Sequence, residues 1–160
     1  MIILGIDPGT ATTGFSVIKS EKGKQELLDV GVVFTSKGLG SETRLKNLFD
    51  GLTKIIKKWK PDEMAVELLF FNSNAKTVLA VGEAKGVVKL AGAKSRLPVF
   101  EYTPLQVKMA LTGYGRAEKT QVGKMVQMAF KLKSIPKPDD AADAVAIALC
   151  HCYSRKIKTL

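Results

Sequence analysis

Apolar and polar residues change period several times along this 160-residue chain. Residues 2–6 form a short apolar run that stops at Asp7-Pro8-Gly9, which predicts a buried strand entering a turn. Residues 14–18 and 31–35 have strand composition. The polar stretch 19–24 reads as a hairpin tip, so the chain opens as a meander of three strands. Ser41 is placed to cap a helix in which Leu45, Leu48, Phe49, Leu52, Ile55, Ile56 and Trp59 keep the i, i+3, i+4, i+7 rule without a miss. Lys60-Pro61 ends it. Residues 64–67 predict a fourth strand. A helix capped by Asn72 or Asn74 then runs to about residue 92, against the helix-weakening Gly82 and Gly86. Residues 99–102 predict a fifth strand. Three helices complete the chain, over 104–111, around 122–130 and over 139–153. The loop 112–116 and the turn 134–138 separate them.

Helices that follow strands four and five imply crossovers and a partly parallel sheet. The expected fold class is α/β, a five-stranded mixed sheet flanked by helices on both faces, in one domain over residues 1–160. Ligands of such sheets collect at the carboxyl ends of parallel strands. An apolar fraction of 46% over this length supports a core without disulfides or structural metal. Cys150 and Cys152 are too few for a disulfide scaffold, no apolar run spans a membrane and no signal peptide is evident. The expected location is a reduced cytoplasm.

Charge adds a partner to this picture. The chain carries 25 Lys and Arg against 15 Asp and Glu, a net +10. Between Pro104 and Pro138, Lys108, Arg116, Lys119, Lys124, Lys131, Lys133 and Lys137 face a single acid, Glu118. That segment is read as a nucleic-acid contact. Lys54, Lys57, Lys58 and Lys60 lie on the amphipathic helix and read as its solvated face. Arg155, Lys156 and Lys158 form a basic tail.

Four acids carry the candidate chemistry: Asp7, Glu67, Asp140 and Asp143. Asp7 and Glu67 each end a strand, so parallel neighbouring strands would bring them to one sheet edge. Asp140 and Asp143 stand at i and i+3 on the last helix and share a face. Hard divalent cations such as Mg²⁺ take carboxylates together with substrate phosphate, and two such ions are suited to cutting a phosphodiester. Each acid has a plainer reading. Asp7 could shape a turn, Asp139 or Asp140 could cap a helix, Asp143 could sit on the helix dipole and Glu67 could be an exposed strand end. The ordered combination, with two alanines between Asp140 and Asp143, favours a site.

Gly5-Ile6-Asp7-Pro8-Gly9-Thr10, Pro61-Asp62-Glu63-Met64-Ala65-Val66-Glu67 and Asp140-Ala141-Ala142-Asp143-Ala144 resemble the RuvC Holliday-junction resolvases. So do Glu101-Tyr102-Thr103-Pro104-Leu105-Gln106-Val107-Lys108 and Ala117-Glu118-Lys119, and the likeness runs almost end to end. The resemblance implies an RNase H-like fold, a homodimer, and Mg²⁺-dependent paired nicking of four-way junction DNA that leaves 5′-phosphate ends. It implies two ions per site, with Mn²⁺ able to substitute. The family's catalytic and metal-binding acids fall on Asp7, Glu67, Asp140 and Asp143, its basic positions on Lys108 and Lys119, and its aromatic beyond the catalytic Glu on Phe70. It also implies a branch-migration complex of a junction-binding protein and a hexameric motor. Asp139 and Phe71 depart from the family pattern.

Phe70 reads either as a core plug or as a wedge against an unstacked base at the junction. In the loop, Tyr114 could stack on sugar or base and Arg116 could meet phosphate, or the segment could simply join helices. Gly82 and Gly86 admit a close neighbour, either the sheet or a second subunit. His151, between two cysteines on a helix, is read as packing, because successive helical residues point about 100° apart. The same residues admit three rival readings. One is a nuclease acting on structured RNA, as in ribosomal RNA processing. One is a sugar-kinase or actin-like ATPase, whose first phosphate loop residues 6–10 resemble. The third is a junction-binding protein without catalysis.

Overall fold

The computed structural model describes residues 1–9, 11–68 and 75–158. In chain order the elements are β1 (Ile2–Asp7), β2 (Thr12–Glu21), β3 (Lys24–Phe34), α1 (Ser41–Trp59), β4 (Glu63–Glu67), α2 (Ala75–Lys94), β5 (Val99–Tyr102), α3 (Pro104–Thr112), α4 (Lys119–Ala129) and α5 (Asp139–Lys158). Five strands form one sheet in the order β3-β2-β1-β4-β5. The meander β1-β2-β3 is antiparallel, whereas β4 and β5 join β1 in parallel through crossovers, as the element order predicts.

The register decides where the acids come. Leu4 pairs with Met64 and Ile6 with Val66. Asp7 and Glu67 therefore follow as the last residues of adjacent parallel strands. Side chains alternate across a strand. Leu4, Ile6, Met64 and Val66 point into a core with Leu48, Leu52 and Ile56 of α1 and Ala84, Val88 and Ala91 of α2. Ile3 and Ala65 point the other way, into a core shared with α3, α4 and α5. By the same alternation Asp7 and Glu67 turn toward α5.

Helix α5 lies directly on the sheet. A Cβ at Gly5 would collide with the Ala144 carbonyl, and one at Gly14 with the carbonyl of Asp140. Only glycine permits that approach. Ser16 Oγ, fully buried, donates to the Ala144 carbonyl at 2.9 Å. Ala141 and Ala142 are buried, and the Ala141 backbone lies against Gly14 of β2.

Two local expectations change. Strands β2 and β3 extend well into the polar stretch, leaving Lys22 and Gly23 at the turn with φ of 48° and 82°. Backbone ladders need no apolar side chains, so polar composition did not end these strands. Ser41 is the first residue of α1 rather than its cap. Gly40 holds the N-cap position and has no side chain to offer. Helix α3, by contrast, has a reciprocal cap: Thr103 Oγ1 accepts from Gln106 N–H at 3.1 Å, and Gln106 Oε1 accepts from Thr103 N–H at 2.8 Å. Among the described residues no helix is long and apolar enough to cross a membrane.

Candidate metal and phosphate site

The strand ends and the head of α5 bring the four acids together. Burial pushes the Asp7 carboxyl up to about 8, and the nearby charges of Glu67, Asp143 and Asp140 push the same way. Burial, followed by Asp143, also raises Glu67. Lys119, a side-chain hydrogen bond from Asp7, and Lys85 pull it back. With its proton retained, Asp7 is the donor to Glu67. Asp143 is raised by burial against the opposing pull of Lys119. Mutual repulsion between half-buried carboxylates is what a bound cation would relieve.

Beside the acids a cleft of about 220 Å³ is lined by Glu67, Lys108, Lys119 and Asp143, with Pro104, Val107 and Val122 among its apolar walls. Two of the lysines singled out in the sequence thus share one opening with two of the acids. Lys119 is the first residue of α4. Its Nζ lies 2.8 Å from Asp143 Oδ2 and 3.6 Å from Asp139 Oδ2. Burial works against the Lys119 charge, but Asp143, Asp139 and Asp7 outweigh it and hold the ammonium above its ordinary pKa.

Among the described residues, no three His, Cys, Asp or Glu side chains close into a ready-made metal cage. Lys119 already neutralises one lobe of Asp143, and Asp7 holds a proton. The acids form an open cradle with oxygen donors only, a set that fits a hard divalent cation once the proton and the ammonium yield.

The remaining predicted residues are spread more widely. Arg116 and Lys124 are exposed, Tyr114 is 58% exposed, and none of the three lines the cleft. Thr10, Phe70, Phe71, Asn72 and Asn74 lie outside the described residues. His151 is fully buried, with Nε2 at 2.6 Å from Glu63 Oε2 and Nδ1 at 2.7 Å from the Tyr102 hydroxyl. That supports the packing reading. Apart from its own stretch of helix, a Cβ added at Gly82 or Gly86 would meet no described atom within 4 Å, so the sheet is not their close neighbour.

Two features escaped the sequence reading. Asp139 binds Lys137 at 3.1 Å through Oδ1 while its Oδ2 faces Lys119. Glu101 on β5 is gripped by Lys85 and Lys89 of α2, the pair with Lys89 at 3.2 Å. The spacing of Lys85 and Lys89 marks one helix face, but nothing along the chain names their partner.

The profile of the family described as Crossover junction endodeoxyribonuclease RuvC matches residues 3–151. This chain belongs to the RuvC family. Crossover junction endodeoxyribonuclease RuvC of Desulforamulus reducens is 56% identical over 94% of this chain and 93% of its own length. That of Halothermothrix orenii is 50% identical over 98% and 95%. Thermus thermophilus RuvC in complex with a Holliday junction substrate has the same fold, with a TM-score of 0.94 at 36% identity over 99% of this chain and 97% of that one. The RNase H-like architecture expected of RuvC proteins is therefore the architecture of this chain.

Proposed function

We propose that this chain is an endonuclease that resolves four-way DNA junctions in homologous recombination and repair. The observation that carries the reading is the convergence of Asp7, Glu67 and Asp143, from two strand ends and one helix, beside a cleft lined by Lys108 and Lys119. Membership of the RuvC family supports junction DNA over structured RNA.

Asp7, Glu67, Asp140 and Asp143 are the residues that would hold Mg²⁺, with Mn²⁺ as a substitute and two ions as the proposed number. When bound, such ions polarise the scissile phosphate and lower the pKa of an attacking water. The protein's own part is positioning and charge. Asp7 must give up its proton before its carboxylate can serve as a ligand. Lys108 and Lys119 neutralise backbone phosphate entering the cleft, which fixes the strand without reading its bases. Tyr114, Arg116 and Lys124 extend the basic and stacking surface outward, and Phe70 is proposed as the wedge at the branch point. Hydrolysis leaves a 5′-phosphate that ligase can seal.

A homodimer would present two such sites to the two-fold axis of the junction and make the cuts paired. The exposed side of α2 supports this. Leu79 is 67% exposed, Leu90 is 52% exposed, and a Cβ added at Gly82 or Gly86 would meet no described atom beyond its own stretch of helix within 4 Å, so they leave room for a second backbone. A junction-binding protein with a hexameric motor is the proposed wider assembly. The direct test is a synthetic mobile four-way junction, incubated with and without Mg²⁺ and read for symmetric nicks on a denaturing gel. Symmetric, EDTA-sensitive, ligatable nicks are expected. Cutting of a structured RNA in preference to the junction would replace this reading.

A further inference from the structure

Lys119 and a cation compete for Asp143. The ammonium sits 2.8 Å from Asp143 Oδ2, on a carboxylate proposed as a metal ligand. A cation at that oxygen repels the ammonium and favours its transfer to a second acceptor nearby. Asp139 stands in that place. Its Oδ2 is already 3.6 Å from Lys119 Nζ, and its other oxygen is occupied separately by Lys137 at 3.1 Å. One carboxylate with two lobes therefore serves two lysines, and a small swing of the Lys119 stem exchanges Asp143 for Asp139.

We propose that Asp139 is a positioning residue for Lys119. It receives the ammonium when a divalent cation takes Asp143, and it keeps that charge at the rim of the cleft, where backbone phosphate enters. The inference rests on Asp143 being a metal ligand. It also gives a role to the acid that departs from the family pattern. Asp139 touches neither metal nor substrate in this scheme and acts only through Lys119.

The test is a double-substitution cycle on the full, DNA-free chain, with Mn²⁺ as the probe and the unbound ion counted by its electron paramagnetic resonance signal. Asp139→Asn should weaken Mn²⁺ binding by about three- to fivefold, the upper part of what exposed ion pairs support. In a Lys119→Ala background the same substitution should leave binding within about twofold. Asp139→Glu should restore it. Equal weakening in both backgrounds is what an unspecific charge effect gives, and it would overturn the proposal. So would no weakening in either background. Asp143→Asn separates the underlying reading: if it leaves Mn²⁺ binding intact, the metal assignment and this inference both fall. If it weakens binding while the cycle shows no coupling, only the role of Asp139 falls. Asp139 is exposed, and unchanged melting curves will show that its variants fold.

Discussion

Lys119, at the head of α4, reaches Asp143 on α5 at 2.8 Å and so ties the wall of the cleft to the acidic cradle. Its ammonium is paired directly with a cluster that burial and repulsion have made reluctant to ionise. In the proposed reaction the same side chain meets phosphate once a cation arrives.

Two opposite effects should follow from Lys119→Ala. Mn²⁺ should bind the DNA-free protein more tightly, because Asp143 loses its competitor. Single-turnover junction cleavage should nevertheless slow on the order of 10²-fold, the usual cost of losing one positive group aimed at a reacting phosphate. Tighter metal with unchanged cleavage would leave Lys119 no part in the reaction.

Asp7→Asn should bring cleavage down to background while junction binding in EDTA at neutral pH stays equal, since the metal-free Asp7 carboxyl is already neutral there. Gel-shift titration alongside nicking assays in Mg²⁺ reads both. Normal nicking by this variant would remove Asp7 from the cradle.

Metal-free stability should fall as pH rises. The folded-state pKa of Asp7, about 8, lies above its unfolded value of 3.8. Between these values the folded chain holds a proton that the unfolded chain has lost, so the slope of stability against pH is negative there. Above pH 8 the folded state carries the full cost of a buried, repelled charge. In EDTA at pH 8, Asp7→Asn should melt roughly 4–8 °C higher than the parent, on the order of 2 kcal/mol for a chain of this size. Added Mg²⁺ should shrink the difference.

His151→Ala should destabilise the fold by roughly 3–5 kcal/mol, because it opens a cavity and takes the partner from the Tyr102 hydroxyl and from one oxygen of Glu63, whose other oxygen stays with Arg155. Urea melts give the number. Cleavage per folded molecule below the transition should stay near the parental rate, as His151 lies outside the cleft lining. A specific loss of turnover would contradict the packing role.

Gly86→Arg tests the α2 face. With no described atom within 4 Å of its Cβ position, the new side chain costs the monomer little. Light scattering should register a shift from dimer to monomer, and cuts on the two strands should lose their pairing. A variant that remains dimeric and cuts both strands would place the subunit contact elsewhere.

Much of the fold was legible because its signals are local. The seven apolar positions of α1 report one buried helix face directly, and the apolar run into Asp7 reports a strand under cover. Boundaries were less legible. The polar halves of β2 and β3 are held by backbone pairing, which leaves little trace in composition. Ser41 looked like a cap, but a cap is a backbone conformation and Gly40 adopts it. At the site, the i, i+3 spacing of Asp140 and Asp143 was readable because one helix carries both. The Lys119 pairs with Asp143 and Asp139 were not, since the partners stand on different helices and only packing brings them together.

Linear order alone determined which residues could do chemistry here: acids at strand ends and on one helix turn, in a basic chain whose motifs match one family. Each of those choices depends on residue type and near spacing, which the chain carries without folding. Tertiary structure decided what those groups meet. The β1–β4 register and the seating of α5 on Gly5 and Gly14 set the distances between charges, and burial there raised the pKa of Asp7, Glu67 and Asp143 above the ordinary carboxylate range. Charge interaction depends on separation and on the surrounding dielectric, and neither exists until the chain has folded.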